Sequence, residues 1–381
     1  MRKTDCLVAR AYLSAFRERG GLLAFLFHSL FHDEREIALN QVDPLQRTTV
    51  AQFRAFIAYY QKHGYRFVNP DELDALEPGG KYALVTFDDG YFNNVLALPV
   101  LEEYQVPALF FISTDHVRER KSFWWDVLYR ERVAQGATPD QVYHEAQALK
   151  SLTTEQIEAE LVARFGADAL KPRGDIDRPF TPDELRAFAR HPLVHLGNHT
   201  ANHAILTNYS AEDAHAQILR AQEALEEMTG ARPRTIAFPN GARSGPVVQT
   251  CAELGLRVGF TIRPAKNALP AGQSCSGLNV SRRTPSDLPF VRGGADHHSP
   301  PYEGRGGGGE TTHSVASKAP YGKPERPWTA GSGLVQVDRF SLHDELPVEA
   351  QCRAYRSDLL LYGLFRAGYL KLARGWANAS T

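Results

Sequence analysis

The 381-residue chain has little cysteine, almost no net charge and no long apolar run. Its four cysteines, Cys6, Cys251, Cys275 and Cys352, are widely spaced and make no Cys-x-x-Cys pair. They indicate neither a structural zinc cluster nor a disulfide scaffold, and buried free thiols are the simpler reading. The formal net charge of -1 lacks the basic surplus of a general nucleic-acid binder, so no nucleic-acid partner is expected. The apolar run at 22–27 is broken by His28 and is too short to span a bilayer. Residues 1–20 carry Arg2, Lys3, Asp5, Arg10, Arg17, Glu18 and Arg19, which reads as an N-terminal helix and not as an export signal. A cytoplasmic protein without a transmembrane segment is expected, with peripheral membrane contact left open.

What is present is an ordinary globular composition, 43% apolar and 23% charged, in a chain long enough for one large α/β domain with insertions or for two domains. Strand-like and helix-like runs alternate. Residues 21–30 read as a buried strand, 49–63 as a helix with Gly64 as its stop, 82–87 as a strand, 95–104 as a helix and 107–112 as a strand. The alternation implies a parallel sheet or barrel. Residues 122–192 read as a helical insertion, with capping boxes at Thr153/Gln156 and Thr181/Glu184. The core resumes with a strand at 194–198, a helix from 210 closed by Gly230, a strand at 235–238, a helix at 247–254 and a strand at 256–261. Residues 292–333 are rich in Gly, Pro, Ser and His and read as a flexible loop. Order returns at 334–340, and 353–373 read as a C-terminal helix or two. The domain picture is an N-terminal helix, 1–20, and one barrel domain, 21–381.

Two short motifs carry chemistry. Thr86-Phe87-Asp88-Asp89-Gly90 is followed about a hundred residues later by His199-Thr200-Ala201-Asn202-His203. Taken singly, Asp-Asp-Gly could be an ordinary turn and the two histidines a surface pair one helical turn apart. Both motifs, however, follow apolar β-type runs, and strand C-terminal ends gather active-site residues. One carboxylate and two imidazoles can hold a divalent metal on one side and leave positions open for water and substrate. The neighbouring carboxylate could take a proton from that water.

On these residues the chain resembles the polysaccharide deacetylases, carbohydrate esterase family 4. The resemblance covers most of residues 21–262 and implies a distorted (β/α) barrel. Thr86 to Tyr91 resembles the family's first motif, which makes Asp88 the base and Asp89 a metal ligand. His199 to His203 resembles the second motif, whose two histidines complete the metal site. Phe238-Pro239-Asn240-Gly241 is similar to the third, which lines the substrate groove, so Pro239, Asn240 and Tyr91 are expected to meet substrate, together with His28 at a frequent early position. Phe340-Ser341-Leu342-His343 offers His343 as the general acid. The chain also departs from the family. Ala237 stands where many members have Arg, which leaves the orientation of Asp88 open, and Gly259-Phe260-Thr261 lacks the Asp of the fourth motif.

The resemblance implies a metal-dependent hydrolase, most simply with zinc, that deacetylates an N-acetylated amino sugar, such as a cytoplasmic precursor of a surface polysaccharide. The alternatives are an O-acetyl sugar esterase on the same fold and a non-catalytic metal-containing carbohydrate-binding protein. In the mechanism so implied, the metal activates water and polarises the acetyl carbonyl, Asp88 accepts the water proton, a backbone N–H near Asn240 steadies the oxyanion, and His343 protonates the leaving nitrogen. Simpler roles are expected elsewhere. Trp124 and Trp125 could stack on a sugar but more simply anchor the insertion's core. Arg339 could meet a carboxylate or phosphate, a surface salt bridge being the plainer account.

Overall fold

A parallel strand buried on both faces is apolar along its whole length, and the compact runs of this chain form such strands. The structure, a computed structural model, describes residues 3–16, 18–43, 47–269, 334–342 and 346–357. The expected loop at 292–333, His343 and most of the expected C-terminal helix lie outside them. All described residues belong to one unit, Met1–Ala271 with Pro327–Thr381. Its strands are β1 (Gly21–Phe27), β2 (Lys81–Phe87), β3 (Ala108–Ile112), β4 (Val194–Asn198), β5 (Thr235–Ala237), β6 (Val258–Phe260), β7 (Val335–Val337) and β8 (Arg339–Ser341). They pair in parallel in the order β7-β6-β5-β4-β3-β2-β1-β8, and a short strand, Arg66–Phe67, also pairs with β2.

Only Asp338 separates β7 from β8. One chain segment therefore pairs with β6 on one side and with β1 on the other, and the sheet returns on itself as a nearly closed, distorted (β/α) barrel. At Asp338 the ladder is interrupted and two buried backbone groups need partners. The Asn267 side chain supplies them: Oδ1 accepts the Asp338 N–H at 2.9 Å and Nδ2 donates to the Asp338 carbonyl at 2.9 Å. The Asn267 backbone is bonded in both directions to Leu22 of β1.

Alternation sorts the strand residues into two layers. Leu22, Ala24, Leu84, Leu109, Phe111, Ala237, Phe260 and Val337 cluster in the barrel interior. Phe25, Phe27, Val85, Phe87, Phe110 and Ile112 face outward into a second cluster, in which Phe25, Phe27 and Phe87 pack on the helix Val50–Lys62 through Phe53, Phe56 and Tyr60, and Phe110 packs on Phe188. Gly197 stands on the inner face of β4. A Cβ there would lie 2.4 Å from the Phe111 ring, so the interior ring requires glycine opposite it.

Several boundaries differ from the sequence reading. The first strand ends at Phe27, because the Phe27 carbonyl accepts the Asp88 N–H and the chain then leaves the sheet. The helix read at 95–104 starts as a 3-10 turn, Phe92–Ala97, before Leu98–Tyr104. The last described helix begins earlier than read, at Val348 directly after Pro347, and runs to Arg356. Between β3 and β4 lie the helices Thr114–Glu119, Trp124–Ala134, Pro139–Leu149, Thr154–Phe165 and Pro182–Phe188, with a core of their own that includes Trp124, Val127, Leu128, Ile157 and Leu161. Cys251 and Cys352 are buried free thiols. No helix of the described residues is long and apolar enough to cross a membrane.

Glu18 ties the N-terminal segment to the barrel bottom. Its carboxylate accepts from Lys81 Nζ at 2.6 Å, from Arg356 Nε and Nη2 at 3.0 and 2.9 Å, and from Tyr65 Oη at 2.5 Å. Burial alone would raise its pKa, but these donors outweigh burial and pull it from 4.5 to about 2. A depressed carboxyl stabilises the fold above its unfolded pKa and loses that contribution as pH falls through the folded value. Glu18→Gln is therefore expected to cost about 1–2 kcal/mol at neutral pH, less than the bare shift because the site is partly solvated. Urea unfolding checks this: the gap between parent and variant should close as pH is lowered from about 4.5 toward 2.

Candidate metal centre

Asp88 continues the inner-facing alternation of Leu84 and Thr86 at the end of β2. Its N–H donates to the Phe27 carbonyl at 2.9 Å, and the Asp89 carbonyl accepts the Ser113 N–H at 3.0 Å, so the turn is bonded to both neighbouring strand ends. Asp89 has φ 77°. His199 follows β4, its N–H bonded to the Ile112 carbonyl. The segment to His203 is a buried loop, not a turn of helix, braced by helix Ala211–Thr229: Ala201 N–H donates to the Gln217 carbonyl and Asn202 N–H to Gln217 Oε1, both at 3.0 Å. Among the described residues, the non-glycine positions with positive φ include Asp89, Thr200, His203 and Asn240, one or two in each of the three motifs. Such backbone is unfavourable for ordinary residues and persists where the surroundings impose it.

These loops bring the motif side chains together. Potential ligand atoms of Asp89, His199 and His203 lie within 4.8 Å of one another, and all three residues are buried. Asp89 Oδ1 is 3.3 Å from each imidazole Nε2. His199 Nδ1 lies 2.9 Å from the Ala237 carbonyl, so in the neutral ring it donates there and turns the Nε2 lone pair toward Asp89. Burial pushes the Asp89 pKa up, but the histidines around it, His28 among them, outweigh this and hold the carboxyl well below its usual range. Asp89 Oδ1 is itself buried and accepts no hydrogen bond in this arrangement. An orphaned carboxylate oxygen facing two imidazole nitrogens fits a divalent cation, and the donor set is of the kind that binds zinc-like metals. The triad is a divalent-metal site.

The orientation of Asp88, left open by Ala237, is set by Arg339. This corrects the surface reading of Arg339. Its side chain is fully buried, Nη1 donates to Asp88 Oδ1 at 2.6 Å and Nη2 to Asp88 Oδ2 at 2.8 Å. Nη1 also meets Thr86 Oγ1 at 3.0 Å, Nε donates to the Thr261 carbonyl at 2.9 Å, and the rings of Phe111 and Phe260 lie 5.5 and 5.8 Å from the guanidinium carbon. Burial tends to raise the Asp88 pKa, and the charges of Arg339 and His199 overcome it, so the carboxyl is held below its usual range. Asp88 Oδ2 lies 4.0 Å from His199 Nε2, beside the triad.

The other expected residues divide. His28 is at the site, with Nε2 3.9 Å from Asp89 Oδ2 and a side chain 31% exposed. Tyr91 is 1% exposed, and its hydroxyl is engaged, donating to Asp126 Oδ2 at 2.7 Å and accepting from Trp125 Nε1 at 2.9 Å. Pro239 is buried in a short turn in which Gly241 and Ala242 donate back to Phe238 and Pro239, leaving the Asn240 N–H outside those bonds. Trp124 packs in the helical core as expected; Trp125 packs against that core too and also meets the metal site, its ring centroid 4.5 Å from that of His203. The signal for Arg339 was its inner-facing parity with Val337, which a closed barrel turns into burial.

Two experiments follow from this geometry. Arg339→Met should lose about 3–5 kcal/mol in urea unfolding, because Asp88 is left as an uncompensated buried charge, and Asp88→Asn added to it should recover much of that loss. A cost below about 1 kcal/mol would mean that the pair is not buried in solution. His199→Ala and His203→Ala should each bring bound divalent metal well below one per chain by elemental analysis, and stoichiometric metal in both would remove them as ligands.

A family model described as polysaccharide deacetylase matches residues 75–259. Among solved structures, the chain is similar to BC0361, a polysaccharide deacetylase from Bacillus cereus, at 14% identity and a TM-score of 0.51, with 88% of this chain and 69% of that chain covered. It is likewise similar to the protein BA0330 from Bacillus anthracis, at 13% identity and a TM-score of 0.51, covering 89% and 69%. At these identities the likeness to solved structures concerns the fold.

Proposed function

This chain belongs to the polysaccharide deacetylase family, and on that premise we propose that it removes the acetyl group from an N-acetylated amino sugar, free or within a glycan, with zinc as the metal. The family and the metal triad make it a metal-dependent hydrolase of amide bonds. The observation that carries the fuller reading is the carboxylate of Asp88, ionised and fixed in orientation beside the triad. A protein that only bound sugar would have no use for a base there.

Asp89, His199 and His203 would hold the cation. When bound, a divalent cation supplies Lewis acidity, which lowers the pKa of water and polarises an acyl carbonyl. Asp88 accepts a proton as water attacks the acetyl carbon, and its bidentate bond to Arg339 keeps one face of the carboxylate in register for that transfer. The Asn240 N–H is proposed to donate to the developing oxyanion. Cleavage then breaks the C–N bond, and the nitrogen must receive a proton because an amine anion is a very poor leaving group. His343, whose position lies outside the described residues, is the proposed source. The products are acetate and the free amine.

Acetate release from a panel of N- and O-acetylated sugars tests this reading. An N-acetylated amino sugar should be turned over, a chelator should abolish the activity, and Asp88→Asn should lower kcat by about 10²–10⁴-fold while metal stays bound. Failure of every N-acetyl substrate, or an Asp88→Asn variant as active as the parent, would falsify it.

A further inference from the structure

Trp124 and Trp125 are adjacent at the start of helix Trp124–Ala134 and both pack on the helical core, but only the Trp125 ring also reaches the metal site. Trp124 is 2% exposed in the helical core. Trp125 is half-buried and leans on the metal-site residue His203, centroids 4.5 Å apart and planes at 58°. Phe123 stacks against Trp125 at 5.1 Å and 17°, and Tyr91 packs on Phe123 at 4.4 Å.

A hydrogen-bond chain behind this ring sets its place. Trp125 Nε1–H donates to the Tyr91 hydroxyl at 2.9 Å, the hydroxyl donates to Asp126 Oδ2 at 2.7 Å, and Asp126 Oδ1 accepts the Asp43 N–H at 2.7 Å. Tyr91 and Asp126 are 1% and 0% exposed, so neither is placed to bond a substrate. A buried polar chain with every link made fixes geometry more firmly than apolar packing alone. It also turns the only polar group of the indole inward, away from the site.

Exposure shows where a substrate must come from. The side chains of Asp88, Asp89 and His199 are 2–3% exposed and form the floor, whereas those of His203 and His28 are 10% and 31% exposed and mark the mouth. Trp125 stands beside His203 on that open side.

We propose that Trp125 is the apolar wall on which the C–H face of the acetylated sugar rests at the metal, and that Tyr91 and Asp126 are positioning residues that hold this wall against His203. The substrate named here rests on the deacetylase reading above; the placement of the wall does not. An indole whose N–H is turned inward offers apolar ring carbons to the carbon side of a pyranose and no hydrogen bond to a purely polar ligand. Because the hydroxyl of Tyr91 acts through the indole, its removal should matter only while the indole is present.

The test uses the full chain and three variants: Tyr91→Phe, Trp125→Phe and the double variant. The parent and each variant are loaded with Co²⁺, and their visible spectra are recorded. KM and kcat are measured on an N-acetylated sugar that the parent turns over. Each single variant is expected to bind cobalt with an affinity within roughly tenfold of the parent but with a shifted spectrum, as the backing of His203 changes. Each should raise KM several-fold with a smaller effect on kcat. The double variant should be no worse than Trp125→Phe, because coupled positions are non-additive. Equal effects of Tyr91→Phe in both backgrounds, or a parent-like spectrum and KM in Tyr91→Phe, overturn the proposal. Should Tyr91→Phe fail to fold, Trp125→Phe decides alone, an unchanged spectrum and KM again overturning it. A parent that releases no acetate sinks the deacetylase reading, and the cobalt spectra still decide the positioning.

Discussion

A fully buried guanidinium must be paired and hydrogen-bonded, or several kcal/mol of desolvation go uncompensated. Arg339 meets that demand entirely with groups at the top of the barrel: both oxygens of Asp88, the Thr86 hydroxyl and the Thr261 carbonyl. The consequence is as much architectural as chemical. Arg339 opens β8, the half-strand that closes the sheet onto β1, and its partner Asp88 extends β2, on the far side of β1. The residue of β1 in register with Arg339 is Ala24, small enough for the guanidinium to pass across it. One ion pair thus fastens the seam of the barrel and aligns the carboxylate beside the metal triad.

Two members of the triad, and the residue after the third, are placed at the expense of local backbone preference. Asp89, Thr200 and His203 hold positive φ without being glycine. Each is fastened by bonds that an undistorted strand end would not make: Ser113 N–H to the Asp89 carbonyl, Asn198 Oδ1 from the Thr200 N–H, and the Gln217 contacts beneath the histidine loop. The helix Ala211–Thr229 is therefore more than a cover for the sheet. Gln217 and the Ile218 carbonyl, which accepts from Asn198, hold the loop in a shape that its own residues disfavour.

The barrel and its inner layers were largely legible in the sequence, since compact apolar runs with a two-residue alternation leave few other solutions. Asp88, Asp89, His199 and His203 were legible for a different reason: their residue types and spacing are those that a resemblance can carry. Arg339 was not. A charged residue in the stretch Val-Asp-Arg-Phe-Ser reads as solvent-facing unless closure of the sheet is known, and closure depends on pairings between residues more than 300 positions apart. Nor could local pattern tell the neighbours Trp124 and Trp125 apart. Successive helical residues point about 100° apart, and which of the two directions meets the site is decided by how the helix docks.

That docking explains how generic chemistry and selectivity can be separated in one molecule. The metal triad and Asp88, the proposed base, sit on loops at strand ends, whose positions are dictated by the sheet and by the ion pair at its seam. The wall beside His203 comes instead from a helix inserted between β3 and β4, linked to the first-motif loop through Tyr91 and to residue 43 through Asp126. Helix and turn are coupled through one group: Tyr91 follows Asp89 by two residues and its hydroxyl bonds both Trp125 and Asp126, so a shift of the turn is passed to the Trp125 ring and a shift of the helix is passed back to the turn. Asp88 is held apart from this exchange by its own bidentate bond to Arg339, so the wall and the base rest on different supports although they meet at one site.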